Sequence, residues 1–217
     1  MNPRIHRCRG LAATVLLALT LVIAGSVLVT PARADRAAPA GSPPQMGDAD
    51  MQKMMALMQP GPSHQSLGRL VGKWKTKITM WMGPGEPQGS EGTATYEWML
   101  GGRYLVNHQT GTFSDMPFEG MGIDGYDNGK REFFTCWMDN MGTGMMRLTG
   151  VADADGQGWT FRGPMFDPSQ GKDVQLRTEV RLDGKDRYTY RMFAPMPGPD
   201  GKSQETKVME ITAVRVS

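Results

Sequence analysis

Soft sulfur is the first chemistry the chain offers. Met51, Met54, Met55 and Met58 recur at i, i+3, i+4 and i+7 within MQKMMALM, which gathers all four on one side of a helix. Thioethers suit Cu(I). The same spacing also serves a helix that covers apolar surface, and methionine is a flexible filler with good helix propensity. No His or Cys joins the cluster, and His64 lies beyond a Pro-Gly-Pro break. Other methionines are scattered, among them Met80, Met99, Met121, Met165 and Met209. The expectation is therefore a helix laid over an apolar groove or a barrel mouth, and no metal or cofactor is assigned.

Acid–base and hydrolytic groups are sparse. There is no Ser-His-Asp order, no Gly-x-Ser-x-Gly elbow and no metal-spaced His pair. ADADGQG at 152–158 starts like a calcium loop with Asp153 and Asp155, but the twelfth position from Asp153 is Pro164, where a bidentate Glu is needed. A hairpin turn explains it better, and a turn also explains Asp124 and Asp127 around Gly125-Tyr126. Acid–base work would fall to Glu97, Tyr104, His108 or Tyr190 if they converged.

The elements that must position such groups begin with a leader. Arg4, Arg7 and Arg9 precede an uncharged run from Leu11 to Thr30, and Pro31-Ala32-Arg33-Ala34 offers a cleavage site before Asp35. This is the order of a secretory signal peptide over 1–34, which implies a periplasmic or secreted protein. The run just reaches membrane-spanning length, so an uncleaved anchor is the alternative. Removing Arg4, Arg7, Arg9 and Arg33 lowers the net charge from +2 to −2. The remainder carries no basic cluster, which argues against a nucleic-acid partner, and once the leader is cut no membrane segment is expected. Cys136 is then alone, a structural thiol rather than half of a disulfide. Oligomeric state is left open.

Residues 35–47 read as a small, Pro-rich tether, 48–71 as a helical segment and 72–217 as one all-β domain. In KWKTKITMWM, Trp74, Thr76, Ile78, Met80 and Met82 alternate with lysines. Val174, Leu176, Val180 and Leu182 alternate with Gln175, Arg177, Glu179 and Arg181; Tyr188, Tyr190 and Met192 alternate with Arg187, Thr189 and Arg191. Turn dipeptides at Gly101-Gly102, Asn128-Gly129, Asp155-Gly156, Asp183-Gly184 and Asp200-Gly201 separate such runs, and they tolerate the positive φ of tight hairpins. The pattern predicts about ten strands near 73–82, 91–100, 103–113, 117–126, 130–138, 145–153, 158–165, 173–183, 187–194 and 204–216. Successive hairpins favour an up-and-down antiparallel β-barrel over an open sandwich, because closure removes the edges. Its lumen would be lined by Met80, Trp98, Tyr104, His108, Met121, Phe134, Tyr188, Tyr190 and Met192, a lining suited to a small hydrophobic molecule. A lumen filled by those side chains would instead make the domain an interaction module.

The block PFEGMGIDGYDNGKREFFTCWMDNMGTGMM at 117–146 resembles the bacterial family known as domain of unknown function 1579. PGPSH at 60–64, Gly72-x-Trp74, KITMWMGPGEP at 77–87, Gly101-Gly102-Arg103 and VMEITAVR at 208–215 support the resemblance, which covers roughly 60–216. It implies a lipocalin-like, calycin-type barrel and no particular activity. It also implies that Trp74 of the first strand meets Arg215 of the last in a cation–π contact that closes one end. Some calycin-type barrels resemble haem-binding nitrobindins, whose ligand histidine lies near the C-terminal strands; residues 204–217 contain no His, and a structural role is expected for His64 and His108.

Overall fold

The computed structural model describes residues 47–216 apart from positions 82, 84 and 199. The leader, the tether up to residue 46 and the Met82 assigned to the first strand lie outside the described residues. Ten strands follow one another: β1 (Gly72–Met80), β2 (Gln88–Met99), β3 (Tyr104–Phe113), β4 (Met116–Asp127), β5 (Glu132–Asp139), β6 (Met146–Ala152), β7 (Gly158–Asp167), β8 (Lys172–Asp183), β9 (Arg187–Pro197) and β10 (Ser203–Arg215). Each pairs antiparallel with its chain neighbours, and β1 also pairs with β10, so the sheet closes into an up-and-down barrel. Class, strand count and closure agree with the sequence pattern, and no strand bound differs by more than three residues.

Closure leaves two unlike ends. At one, α2 (Pro62–Leu67) and a 3₁₀ turn (Gly68–Leu70) plug the barrel with Leu67 and Leu70, which join Trp74, Leu105, Phe133, Trp159 and Tyr188 in one apolar cluster. Pro62 sits at the first helical position, where a missing N–H costs nothing. His64 reaches back to accept the Gly61 N–H at 3.1 Å and packs edge-on against Tyr126. Burial holds its imidazole below the usual range, so His64 is a neutral cap.

Trp74 and Arg215 are cross-strand partners, and the guanidinium carbon stands 4.0 Å above the indole ring. Arg215 also donates to the carbonyls of Arg69, Val71 and Lys185, which fastens the end of β10 to the plug. The seam between first and last strands is thus locked where the plug enters.

Helix α1 (Asp48–Leu57) forms but covers nothing. Met51, Met54, Met55 and Met58 are 42–60% exposed, against the expectation of an apolar seat. The helix is held by its C-terminal carbonyls alone among the hydrogen bonds of the described residues. Arg103 donates to Met58, and Asn128 donates to Leu57 and Gln59. Both donors sit in turns at the plugged end, so α1 lies away from the open mouth.

The turns depart from the sequence in two places. Asn128-Gly129 does not supply the positive φ; Arg131 does, at 58°, while the Asp127 carboxylate accepts the N–H groups of Gly129 and Lys130. The β3–β4 hairpin turns on Ser114 and Asp115, both with positive φ and neither glycine. Gly156, Gly184 and Gly201 adopt positive φ in the turns where they were expected.

Outside the barrel, charge ties strands together. Arg177 on β8 pairs with Glu179 and with Glu205 of β10, and its guanidinium stacks 3.7 Å over Phe193 of β9. We expect Arg177→Ala to lower stability by about 1–2 kcal/mol, the sum of a cation–π contact and two charge-assisted pairs of which one is half exposed. Urea midpoints of Arg177→Ala and Glu205→Gln test this; an Arg177→Ala midpoint equal to the parent would refute it.

Candidate functional site

A cavity of about 310 Å³ runs from the plug to the open end. Leu67, Leu70, Trp159 and Phe161 form its inner part, and Met80, Phe113, Phe118, Met141 and Met209 surround the outer part. Apolar side chains dominate, as the strand alternation of β1 and β7 to β10 requires.

One wall is different. Asn107 and Gln109 from β3, Asp124 from β4 and Thr135 from β5 all face the cavity. The Asn107 amide donates to Asp124 Oδ2 at 3.2 Å and accepts from Gln109 Nε2 at 3.5 Å. Two inward glycines make room for this wall. A Cβ on Gly122 would lie 2.3 Å from Asn107 Nδ2, and one on Gly120 would lie 2.3 Å from the Trp137 ring. Burial pushes the Asp124 carboxyl up to about 6, against the Thr135 and Asn107 side chains, which favour its ionised form.

Three phenols stand near that carboxylate. The hydroxyls of Tyr96 and Tyr188 are 3.2 Å apart, and Tyr188 packs edge-on against Trp74. Burial pushes Tyr188 up to about 12 and raises Tyr96 and Tyr190 as well, with the Asp124 charge adding to each. The Trp159 indole N–H is buried without a hydrogen-bond partner among the described residues and lines the cavity, while the Thr178 hydroxyl lies within reach of the Tyr190 phenol. At the open end, Asp139 accepts from Trp137 Nε1 at 2.7 Å and from the Met141 N–H. The arrangement can enclose an apolar body, receive a hydrogen-bond donor at Asp124 and offer a donor from Trp159.

Of the nine lumen candidates, Met80, Tyr188, Tyr190 and Met192 line the cavity. Trp98 shares the face of Tyr96 but lies past the cavity, against Gly68 of the plug. The assigned phase of β3, β4 and β5 is corrected: Tyr104, His108, Met121 and Phe134 face outward. Tyr104 packs on Phe134 outside the wall, and Arg147 covers the Phe134 ring. His108 and Met121 are paired neighbours there, beside a shallow outer depression. Glu97 is exposed as well, so Glu97, Tyr104, His108 and Tyr190 do not converge. The physical reason is that polar Asn107, Gln109, Asp124 and Thr135 hold lumen positions on these strands, while the bulkier Tyr104, Met121 and Phe134 lie on the outer side.

Asp124 is the residue that the turn explanation concealed. The available signal was the spacing of Gly120, Gly122, Asp124 and Tyr126 on one face, matched across the ladder to Asn107 and Thr135. Asp127 does build its turn, and so does the 152–158 loop, where Arg181 pairs with both Asp155 and Asp153. Cys136 is half-buried on the outer face of β5 opposite Arg147, and burial raises its thiol pKa.

Solved structures share the barrel. The crystal structure of Rv2717c from M. tuberculosis aligns with a TM-score of 0.54 at 16% identity, over 73% of this chain and 100% of that one. The S-type phycobiliprotein lyase CPES from Guillardia theta aligns at 0.51 with 8% identity, over 71% and 93%. At these identities the likeness extends to the fold alone. No curated protein matches the sequence. The family model described as a protein of unknown function (DUF1579) matches residues 59–215, nearly all of the barrel and its plug, and the chain belongs to that family.

Proposed function

We propose that this is an exported protein that holds a small, largely apolar molecule inside its barrel. The observation that carries the reading is the cavity: about 310 Å³, lined mainly by aromatic and aliphatic side chains, with few polar groups gathered on defined walls. That composition is typical of ligand pockets, where apolar burial supplies affinity and a few polar atoms fix orientation. A barrel packed solid would favour an interaction module instead. The leader at 1–34 supports delivery to the periplasm or beyond.

A second reading is an enzyme of the same barrel type acting on a small organic substrate. Asp124 favours it, since a buried carboxyl titrating near neutrality beside three tyrosines is suited to proton transfer. The two readings separate on whether a captured molecule leaves unchanged.

A native mass spectrum of the protein isolated from a bacterial periplasm tests the main reading. The expected result is a chain beginning at Asp35 with an added mass that vanishes on denaturation. A bare chain that stays bare after exposure to a pool of hydrophobic compounds would overturn ligand holding. An intact leader would overturn cleavage separately.

A further inference from the structure

We propose that the cavity selects a protonated amine carried on an apolar body with an oxygen acceptor at its far end, Asp124 serving as counter-ion to the ammonium. This rests on the reading of the cavity as a ligand site, and it names the chemical class.

Charge is the first support. The cavity lining contains two carboxylates, Asp124 and Asp139, and no Lys, Arg or His. Asp124 takes part in none of the ion pairs among the described residues, although Arg–carboxylate and Lys–carboxylate pairs are common on the outer face. Its hydrogen-bond donor of defined geometry, the Asn107 amide, is neutral. An ionised carboxylate accepts about four hydrogen bonds, so acceptor capacity remains turned to the cavity. A buried charge without a counter-charge is costly, and a guest ammonium supplies one.

The surroundings suit a cation for an independent reason. Tyr96, Tyr188 and Tyr190 line the same cavity as the carboxylate, and aromatic faces attract ammonium groups.

The opposite wall specifies the other end of the guest. Trp159 is 2% exposed, and its indole N–H lacks a partner among the described residues although the residue lines the cavity. An indole N–H only donates. Its natural complement is an ether, hydroxyl or carbonyl oxygen on the ligand. Buried polar groups in native proteins are ordinarily satisfied, so this orphan marks a position a ligand atom would fill.

A matched pair of probes tests the class on the purified full chain at neutral pH. They are 2-(4-methoxyphenyl)ethylamine, which is protonated, and 2-(4-methoxyphenyl)ethanol, its neutral counterpart. Titration calorimetry should show the amine binding at least about tenfold more tightly than the alcohol. In Asp124→Asn the tenfold preference should vanish, the two probes then binding within about threefold of each other. An alcohol that binds as well as the amine, or a preference that survives in Asp124→Asn, would overturn the proposal. N-phenyl-1-naphthylamine, neutral under these conditions, separates the two levels. If it binds to both proteins and neither small probe does, the amine proposal fails while the apolar cavity stands. If it does not bind either, the ligand-site reading fails with it.

Discussion

Trp74→Ala is expected to lower the stability of the barrel by about 3–5 kcal/mol, among the largest single-residue effects in the molecule. The indole is 1% exposed and touches three different supports. Its N–H donates to the Leu70 carbonyl at 2.8 Å, its face receives Arg215, and Tyr188 meets it edge-on with ring centroids 4.8 Å apart. Truncation leaves a cavity, a carbonyl without its donor and a guanidinium without its ring. These losses fall on one seam, because Trp74 pairs with Arg215 across the strands that close the sheet. Trp74→Phe divides the effect: the ring and the cation–π contact survive in part, while Leu70 loses its donor at about 1–2 kcal/mol. Urea denaturation at constant m-value measures both. A Trp74→Ala midpoint shift worth less than about 1 kcal/mol would mean the plug and Arg215 close the barrel without it.

The same residue shows what was legible beforehand. The alternation of Trp74, Thr76, Ile78 and Met80 against three lysines fixes both strand and inward face, because one side of β1 meets apolar core and the other meets water. Strands β8 and β9 read correctly for the same reason. On β3 to β5 the rule inverts. Tyr104, Val106 and Met121 are the more hydrophobic alternates, yet Asn107, Gln109 and Asp124 point inward. Neither side of this wall is plain core or plain water: the lumen side is polar where a guest would be oriented, and the outer side carries a satellite of aromatic contacts. Local patterning misleads where polar side chains line a lumen. The turns failed differently. Asn128 was free to leave its expected conformation because Asp127 caps the turn, and Asn128 was then used to hold α1. The methionine face of α1 has helical spacing without a surface to cover, since spacing records which residues share a side and not what lies opposite.

Asp124→Asn is expected to stabilise the ligand-free protein above pH 6 by about 3 kcal/mol, and to remove a slope from its pH dependence. The carboxyl titrates near 3.8 when exposed and near 6 in the folded barrel, chiefly because burial disfavours its charge. Below 3.8 both states hold the proton, and above 6 neither does. Between those values only the folded state holds it, so the wild-type protein loses stability as pH rises through the interval. The asparagine variant keeps an acceptor for the Asn107 amide and never ionises, so this loss is absent from it. Acid pH adds a separate and opposite trend shared by both proteins. Asp155, Asp167, Glu205 and Glu210 are held below the usual carboxylate range by side-chain hydrogen bonds, from Arg181, Ser169, Arg177 and Arg191 respectively. Their stabilisation disappears as pH falls through their folded values. Subtracting one protein from the other cancels that limb and isolates Asp124. Protein refolded from urea, and so stripped of any guest, should therefore show variant and parent converging near pH 4, diverging to about pH 6 and then staying apart by a constant amount at pH 7. Equal midpoints at pH 7 would mean that Asp124 already has its counter-charge within the chain, leaving the cavity no reason to prefer a cation.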